Sequence, residues 1–505
     1  MGVSTLVGLT QSLGQSLVSS NLSQIEGSLQ STAAEVSWLT TAYFGTAIWA
    51  SLLLIKFRFQ FGLRVFATVG LLGFVAVSVL HLLTNTLESA IAVRAALGLC
   101  AAPLTTLTIL YMAQAFPPRL APVALMLAFA PLQLGSPLSR VVATHLLDYG
   151  QWHGLYLIDV ALAMLCFAMI HLVRLPVSPR KQAFHLHDLI SFPFYAAGLT
   201  LMAIVLTQGR TAWWTDMSWL GTCLACSLAC LGVYAVYDLR RSQPLIDLRW
   251  LSTPYMLRYI AAIVLFRVAL SEQTVGVVGL MTVLGQTNEQ MQTLFALVTV
   301  GTIAGFVVSI PVGIYGRPYL QGALAAALIT MAALMDAGST SATRPADLYV
   351  SQTLMAFALA AYIASASVMG LGPVLKEGGT HLVDFVAAFG FAQYFGSMLG
   401  LAWINSAAEL RRQWHYDALA QHISLDNPDV VQRIGQLAGA VARVVGDPVA
   451  RAKQGVSLFV QQVNREATVL AYIDIFHYIA ALGAVMVLLI SFVGWRTERL
   501  ARAAS

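Results

Sequence analysis

The 505-residue chain is 58% hydrophobic and only 10% charged, with 28 basic against 23 acidic residues and a formal charge of +5. A soluble domain is about 45–50% apolar and about 25% charged, so these figures, with a mean hydropathy of +0.74, exclude an ordinary soluble enzyme. They define an all-α integral membrane protein.

Apolar stretches of about 20 residues, the length that carries a helix across the hydrocarbon, recur between short polar breaks. Fourteen spans are predicted in chain order: 6–27, 36–55, 65–84, 89–112, 122–146, 152–173, 189–208, 218–237, 256–282, 291–314, 318–336, 347–371, 382–404 and 468–495. Segments so long and uniformly apolar satisfy their backbone groups as helices. The start, MGVSTLVGLTQSLGQSLVSS, lacks a basic n-region and reads as a first span, not a cleaved signal.

Three blocks follow. Residues 1–174 hold six spans, 175–255 hold linkers and two extra spans, and 256–505 hold six more. Charged, proline-bearing linkers fall at 174–188 and 238–258. Two six-helix halves are a transporter plan, because a substrate path opens between repeats that rock against each other.

Orientation follows from Lys and Arg. An even number of spans puts both termini on one side, together with Lys56, Arg58, Arg64, Arg119, Arg174, Arg180, Lys181, Arg240, Arg241, Arg249, Arg258, Arg317, Lys376, Arg496, Arg499 and Arg502. The short loops of the opposite side carry only Arg210 and Arg344. Both termini are therefore expected in the cytoplasm, and the positive charge reflects topology, with no nucleic acid as partner. Seven more basic residues lie in the long outer segment 405–467, which leaves three inside spans: Arg94, Arg140 and Arg267.

The segment 405–467 lies on the outer side. Asn427-Pro428 and Asp447-Pro448 each read as an N-cap followed by proline at the first helical position. Val430, Ile434, Leu437, Val441 and Val444 recur at helical spacing between them, predicting a helical hairpin outside the membrane. Its apolar stripe serves either as a self-packed cap or as a docking surface for a partner.

Several stretches together carry a family resemblance. IEGSLQSTAAEVSWLTTAY (25–43), RAALGLCAAPL (94–104), AFPPRLAPVALML (115–127) and WHGLYLIDV (152–160) resemble, in order and spacing, the major facilitator superfamily. QPLIDLRWLSTPYM (243–256) and REATVLAYIDIF (465–476) narrow this to the fourteen-span drug:proton antiporter-2 family, in its EmrB-type exporter subgroup. The resemblance implies proton-coupled efflux of small molecules from a bacterial inner membrane. It also implies partnership with a periplasmic adaptor and an outer-membrane channel.

The chain departs from that pattern in three places. Gly14 stands where the family's first span carries an acid. The loop after span two, IKFRFQFGLR (55–64), keeps Gly62 and Arg64 but has Ile55 and Phe59 in place of a glycine and an aspartate. Span thirteen has Ala392-Gln393 for Arg-Gln.

Arg94 matches the arginine of the family's span-four motif. A mid-bilayer charge costs roughly 3 kcal/mol on insertion scales, so it should face a cavity or a partner. Arg94, Gly98, Ala101, Thr105 and Thr108 share one helical stripe, read as a cavity wall, with a tie to a backbone carbonyl as the alternative. In span five, Gly135, Pro137 and Ser139 occupy the antiporter-motif stretch, and Gly135, Ser139 and Ala143 give a small-residue face for close helix packing. Arg140, beside that face, reads either as an anion-attracting cavity group or as half of an ion pair.

Arg267 and Glu272 share span nine but point about 140° apart, so they are not each other's partner. Glu272 is a candidate proton-coupling acid, as are Asp474 and His477, one turn apart near the outer end of the last span. Gln11, Gln15 and Ser19 line one face of span one and predict a wet path.

Five cysteines give no disulfide pattern, and Cys223, Cys226 and Cys230 read as packing residues in an apolar span. Phosphate-loop, HExxH and GxSxG signatures are lacking, so the chain is read as a transporter, without a cofactor. The sequence thus predicts an exporter of amphipathic drugs or organic acids. A proton-independent carrier, or a non-transporting scaffold or sensor, stands beside it because of Gly14 and the altered loop.

Overall fold

The computed structural model describes residues 1–117, 120–147, 151–173, 187–241, 244–315, 317–376, 381–424 and 426–504. Most of the predicted linker 174–188 lies outside the described residues, as does Arg119. Regular structure among the described residues is helical throughout.

The first helices are α1 (Gly2–Ser19), α2 (Leu22–Leu29), α3 (Ala33–Phe61), α4 (Leu63–His81), α5 (Leu87–Gln114), α6 (Ala121–Leu147) and α7 (Gly154–Leu172). Next come α8 (Asp188–Gln208), α9 (Ser218–Leu239) and the short α10 (Leu248–Leu251). The remainder are α11 (Pro254–Ser271), α12 (Val277–Val283), α13 (Gln292–Tyr315), α14 (Pro318–Asp336), α15 (Tyr349–Lys376), α16 (Leu382–Ala420), α17 (Pro428–Ala440) and α18 (Pro448–Ala504). A π-helical turn at Glu272–Gly276 joins α11 to α12.

Local chemistry sets these boundaries. Thr32 caps α3 in a reciprocal box with Glu35, whose carboxylate accepts from the Thr32 amide at 2.8 Å. Gly62, at φ +87°, turns the chain from α3 into α4 in a region that a residue with a Cβ rarely enters. Arg64 stands in the first turn of α4, exposed at the helix start. Pro254 opens α11 at its first position, where no amide hydrogen is needed.

Thirteen described helices are long and apolar enough to cross a bilayer. The expected first span, α1, is not among them, because Gln11, Ser12, Gln15 and Ser16 dilute its apolar residues. It packs instead in the middle of the first helix set, against α5, α6 and α7. The glycine face of α6 makes that possible: a Cβ on Gly135 would overlap the Ser12 backbone of α1. Ser139 continues the contact, its hydroxyl 2.8 Å from that of Ser20. Pro137 is buried on the same helix.

Apolar burial divides along the chain. One cluster holds Val7, Phe66, Phe74, Leu97 and Leu107 from the first helices, and a larger one holds Phe266, Ile329, Tyr362 and Ile475 from α11 to α18. A third joins α8 and α9 to α3 and α16, through Tyr195, Tyr234, Leu52 and Met398. At the end carrying the termini, Lys56 and Arg241 both reach Asp188, at 2.7 and 2.8 Å.

The segment 405–467 contains the expected helix pair, α17 against the start of α18, but it is built as an extension of longer helices. Both N-caps are as predicted: the Asn427 side chain accepts from the Asp429 amide at 3.0 Å, and Asp447 accepts from Val449 and Ala450. Yet α16 runs on to Ala420 and α18 begins at Pro448, so membrane helices continue into the segment and only α17 is separate. It packs along α18, where a Cβ on Gly455 would lie 2.8 Å from the Ile434 carbonyl. The predicted stripe stops short: α17 ends at Ala440, which leaves Val444 89% exposed.

Candidate functional site

A cavity of about 760 Å³ lies between the two helix sets. It runs from Gln133 on α6 and Arg267 on α11 toward Arg210, Trp213 and Glu409, at the end of the bundle that carries α17. That volume suits a drug-sized molecule. Its wall alternates polar groups, including Gln15, Ser19, Ser136 and Thr302, with apolar ones such as Phe44, Leu270 and Leu359.

Two arginines face it from opposite sets. On α6, Arg140 is 7% exposed, donates to the Asn288 side-chain carbonyl at 3.0 Å, and stacks 5.0 Å from the Phe295 ring. On α11, Arg267 donates to the Ser397 hydroxyl from Nε at 3.0 Å and from Nη2 at 2.6 Å, and to Gln133 at 3.4 Å. Every one of these partners is neutral. The acid lining the cavity is Glu409, which has Arg210 at 4.0 Å.

Of the span-one residues predicted to line a wet path, Gln15 and Ser19 do, with Ser16 and Ser20 beside them. Gln11 does not; it is 3% exposed and turns its amide to the Tyr43 hydroxyl at 3.4 Å.

Arg94 does not face the cavity. It is 1% exposed, with Nη1 donating to the Gly14 carbonyl at 2.8 Å and Nη2 to that of Gln15 at 3.0 Å. The cavity-wall reading therefore gives way to the carbonyl tie. Backbone oxygens of α1 take both terminal nitrogens of the guanidinium, and the Tyr43 ring lies 4.8 Å below it. The rest of its stripe is likewise packing surface: Ala101 and Thr108 are buried, Thr105 is half-buried outside the cavity lining, and Gly98 abuts Tyr43 and Thr46 of α3.

Glu272 points away from Arg267, as the spacing requires, and is fully buried. It meets an acid that the sequence did not bring to notice. The Gln352 amide donates to Asp336 at 2.7 Å and to both oxygens of Glu272 at 3.3 Å, so two buried carboxyls share one donor. The π turn begins at Glu272, a local irregularity of the kind that often marks functional positions.

Asp474 and His477 are not partners. Asp474 is bound by Arg411 at 2.6 Å and by His415 at 2.7 Å, both on the extension of α16, while His477 is exposed and bonds the carbonyl of Ile473. Continuation of α16 beyond the predicted span end brings stronger partners to Asp474 than its own helix offers. No group of His, Cys, Asp and Glu that could hold a metal occurs among the described residues.

Asp159 went unnoticed in the sequence, although it lies inside the apolar stretch 152–173, where an acid is itself a signal. It sits on α7, 1% exposed.

Helical sets enclosing a ligand-sized polar chamber define a membrane transporter. The chain belongs to the Major Facilitator Superfamily, whose profile matches residues 5–413. Among curated relatives it is similar to a probable actinorhodin transporter of Streptomyces coelicolor, 27% identical over 230 residues. That match covers 43% of this chain and 38% of the relative, so the chain spans well under half of that protein's length. Among solved structures it resembles the human organic anion transporter MFSD10 (TETRAN), at TM-score 0.54 and 13% identity, covering 95% of this chain and 98% of that one. A similar likeness links it to the proton:xylose symporter XylE bound to 6-bromo-6-deoxy-D-glucose, at TM-score 0.53 and 14% identity, with 94% of each chain covered. At such identities the likeness speaks for the fold.

Proposed function

We propose that this chain exports amphipathic organic anions across a bacterial inner membrane by alternating access, with inward proton flow as the energy source. In this reading α1 joins the thirteen apolar helices as a fourteenth crossing. Residues 1–174 and 256–505 are the two rocking halves, and both termini are cytoplasmic. The observation that carries the reading is the pair Arg140 and Arg267, one from each helix set, facing a shared chamber with only neutral partners. Guanidinium groups held by neutral oxygens keep their charge available to a carboxylate or sulfonate, and the apolar wall takes the rest of an amphipathic molecule. Similarity to a probable actinorhodin transporter agrees with transport of a small organic compound.

Binding to purified protein tests this directly, with an aromatic carboxylate and its primary amide as probes and tryptophan fluorescence as readout. Trp213 in the chamber wall supplies the signal. The carboxylate should bind at least about tenfold more tightly, a difference of about 1.4 kcal/mol. Arg140→Gln and Arg267→Gln should each erode that preference; equal affinities in the unmodified protein would defeat it.

The segment 405–467 is proposed to contact a periplasmic adaptor leading to an outer-membrane channel. Removal of 412–460 should abolish co-purification of that adaptor, and retained binding would refute the contact. An uncoupled carrier is the second reading, favoured by the absence of any acid on α1. In proteoliposomes it would move substrate with no accompanying pH change.

A further inference from the structure

Asp159 is buried on α7, and neither of its carboxyl oxygens has a hydrogen-bond partner. An unpaired carboxylate in such surroundings is one of the most unfavourable groups a protein can bury. The room for it comes from α1. A Cβ built on Gly14 would lie 3.5 and 3.7 Å from the two Asp159 oxygens and 3.0 Å from the Phe74 ring, so this contact is available only beside a residue with no side chain.

Arg94 converges on the same residue from α5. Two of its nitrogens are taken by the carbonyls of Gly14 and Gln15, and its Nε has no partner. Other ionisable groups ring the site. Tyr43 of α3 lies under the guanidinium, Tyr156 is three residues before Asp159, and His81 of α4 stacks on Tyr156 at 4.1 Å. His153, just before α7, is engaged by the Thr84 carbonyl, and α6 turns Arg140 to Asn288. The helix that places Gly14 beside the carboxyl, α1, has no ionisable side chain. Arg94 is thus the cation beside Gly14 that a small movement of α1 would release.

We propose that Asp159 is a proton-carrying carboxyl, switched by whether Arg94 is held by the Gly14 and Gln15 carbonyls or turns to Asp159 itself. In the arrangement seen here the carbonyls hold the guanidinium and Asp159 keeps its proton. If α1 slides relative to α5, those carbonyls withdraw and Arg94 swings to the carboxyl. The O–H bond then breaks, leaving its electron pair on the carboxylate paired with the guanidinium, and the proton passes to water. Gln15 and Ser16, the next residues on α1, line the chamber, so a bound substrate pushes on the element that controls Arg94. The inference rests on the export reading for the direction of proton flow only.

Infrared difference spectroscopy of the full chain tests the site without transport. At neutral pH the carbonyl-stretch region of protonated carboxylic acids should contain a component that is lost in Asp159→Asn and persists in Glu272→Gln. Its survival in Asp159→Asn would overturn the proposal. In proteoliposomes, Asp159→Asn should lose at least about tenfold of the substrate-driven pH change yet keep exchange of labelled for unlabelled substrate within about twofold. Asp159→Glu should recover part of the pH change. An undiminished pH change in Asp159→Asn would also overturn the assignment. If the unmodified protein exchanges no substrate, the export reading fails, and the infrared band still decides on Asp159.

Discussion

Arg140 and Asn288 join the two helix sets. The guanidinium of α6 donates to the Asn288 side-chain carbonyl at 3.0 Å, in the turn before α13, while the Asn288 amide reaches Asn21 at 3.0 Å and the Ser20 carbonyl at 3.3 Å. One asparagine thus ties α1, α6 and the second set together. Asn288→Ala leaves a buried charge short of an acceptor, and about 1–3 kcal/mol of stability should go with it. Thermal unfolding in detergent measures this, and an unchanged melting temperature would show the tie to be incidental.

Gly135 permits backbone contact between α1 and α6. Gly135→Leu should separate them, displacing Gln15 and Ser19 from the chamber wall, and should lower the melting temperature together with carboxylate affinity. Affinity retained in a destabilised variant would mean that the chamber does not depend on this contact.

The Glu272, Asp336 and Gln352 cluster lends itself to a double-mutant cycle. Gln352→Leu removes the donor shared by two buried carboxyls and should destabilise by about 1–3 kcal/mol. Adding Glu272→Gln supplies a new amide beside Asp336, so the double variant should lose less than the sum of the single losses. Strict additivity would place the three side chains in independent roles.

Asp474 fastens the extension of α16 to α18 through Arg411 and His415. Asp474→Ala should cost about 1 kcal/mol, discounted for partial exposure, and should speed proteolysis near 421–427. His477→Ala should change neither, because His477 bonds only the carbonyl of its own helix.

Thirteen of the spans were legible because length and apolarity are local properties, and so were the caps at Asn427 and Asp447. Spacing alone also showed that Arg267 and Glu272 diverge. Direction toward a neighbour is a different matter. The stripe of Arg94 was correctly on one face, yet nothing in the sequence says that α1 rather than a chamber covers it. Helicity outlasting apolarity hid the extensions of α16 and α18, and with them the partners of Asp474. Gly14 read as a missing acid, whereas an acid from α7 lies beside the empty position. A carboxyl delivered from another helix leaves no trace in the span it serves.

The 57 residues of α18 form one unbroken helix, roughly 85 Å long at 1.5 Å per residue. Such a rod crosses the bilayer and keeps going, so tilting its embedded end by a few degrees sweeps the far tip through several ångströms. Rocking of the second half would be broadcast to the periphery as a lever stroke, with α17 riding on the moving arm.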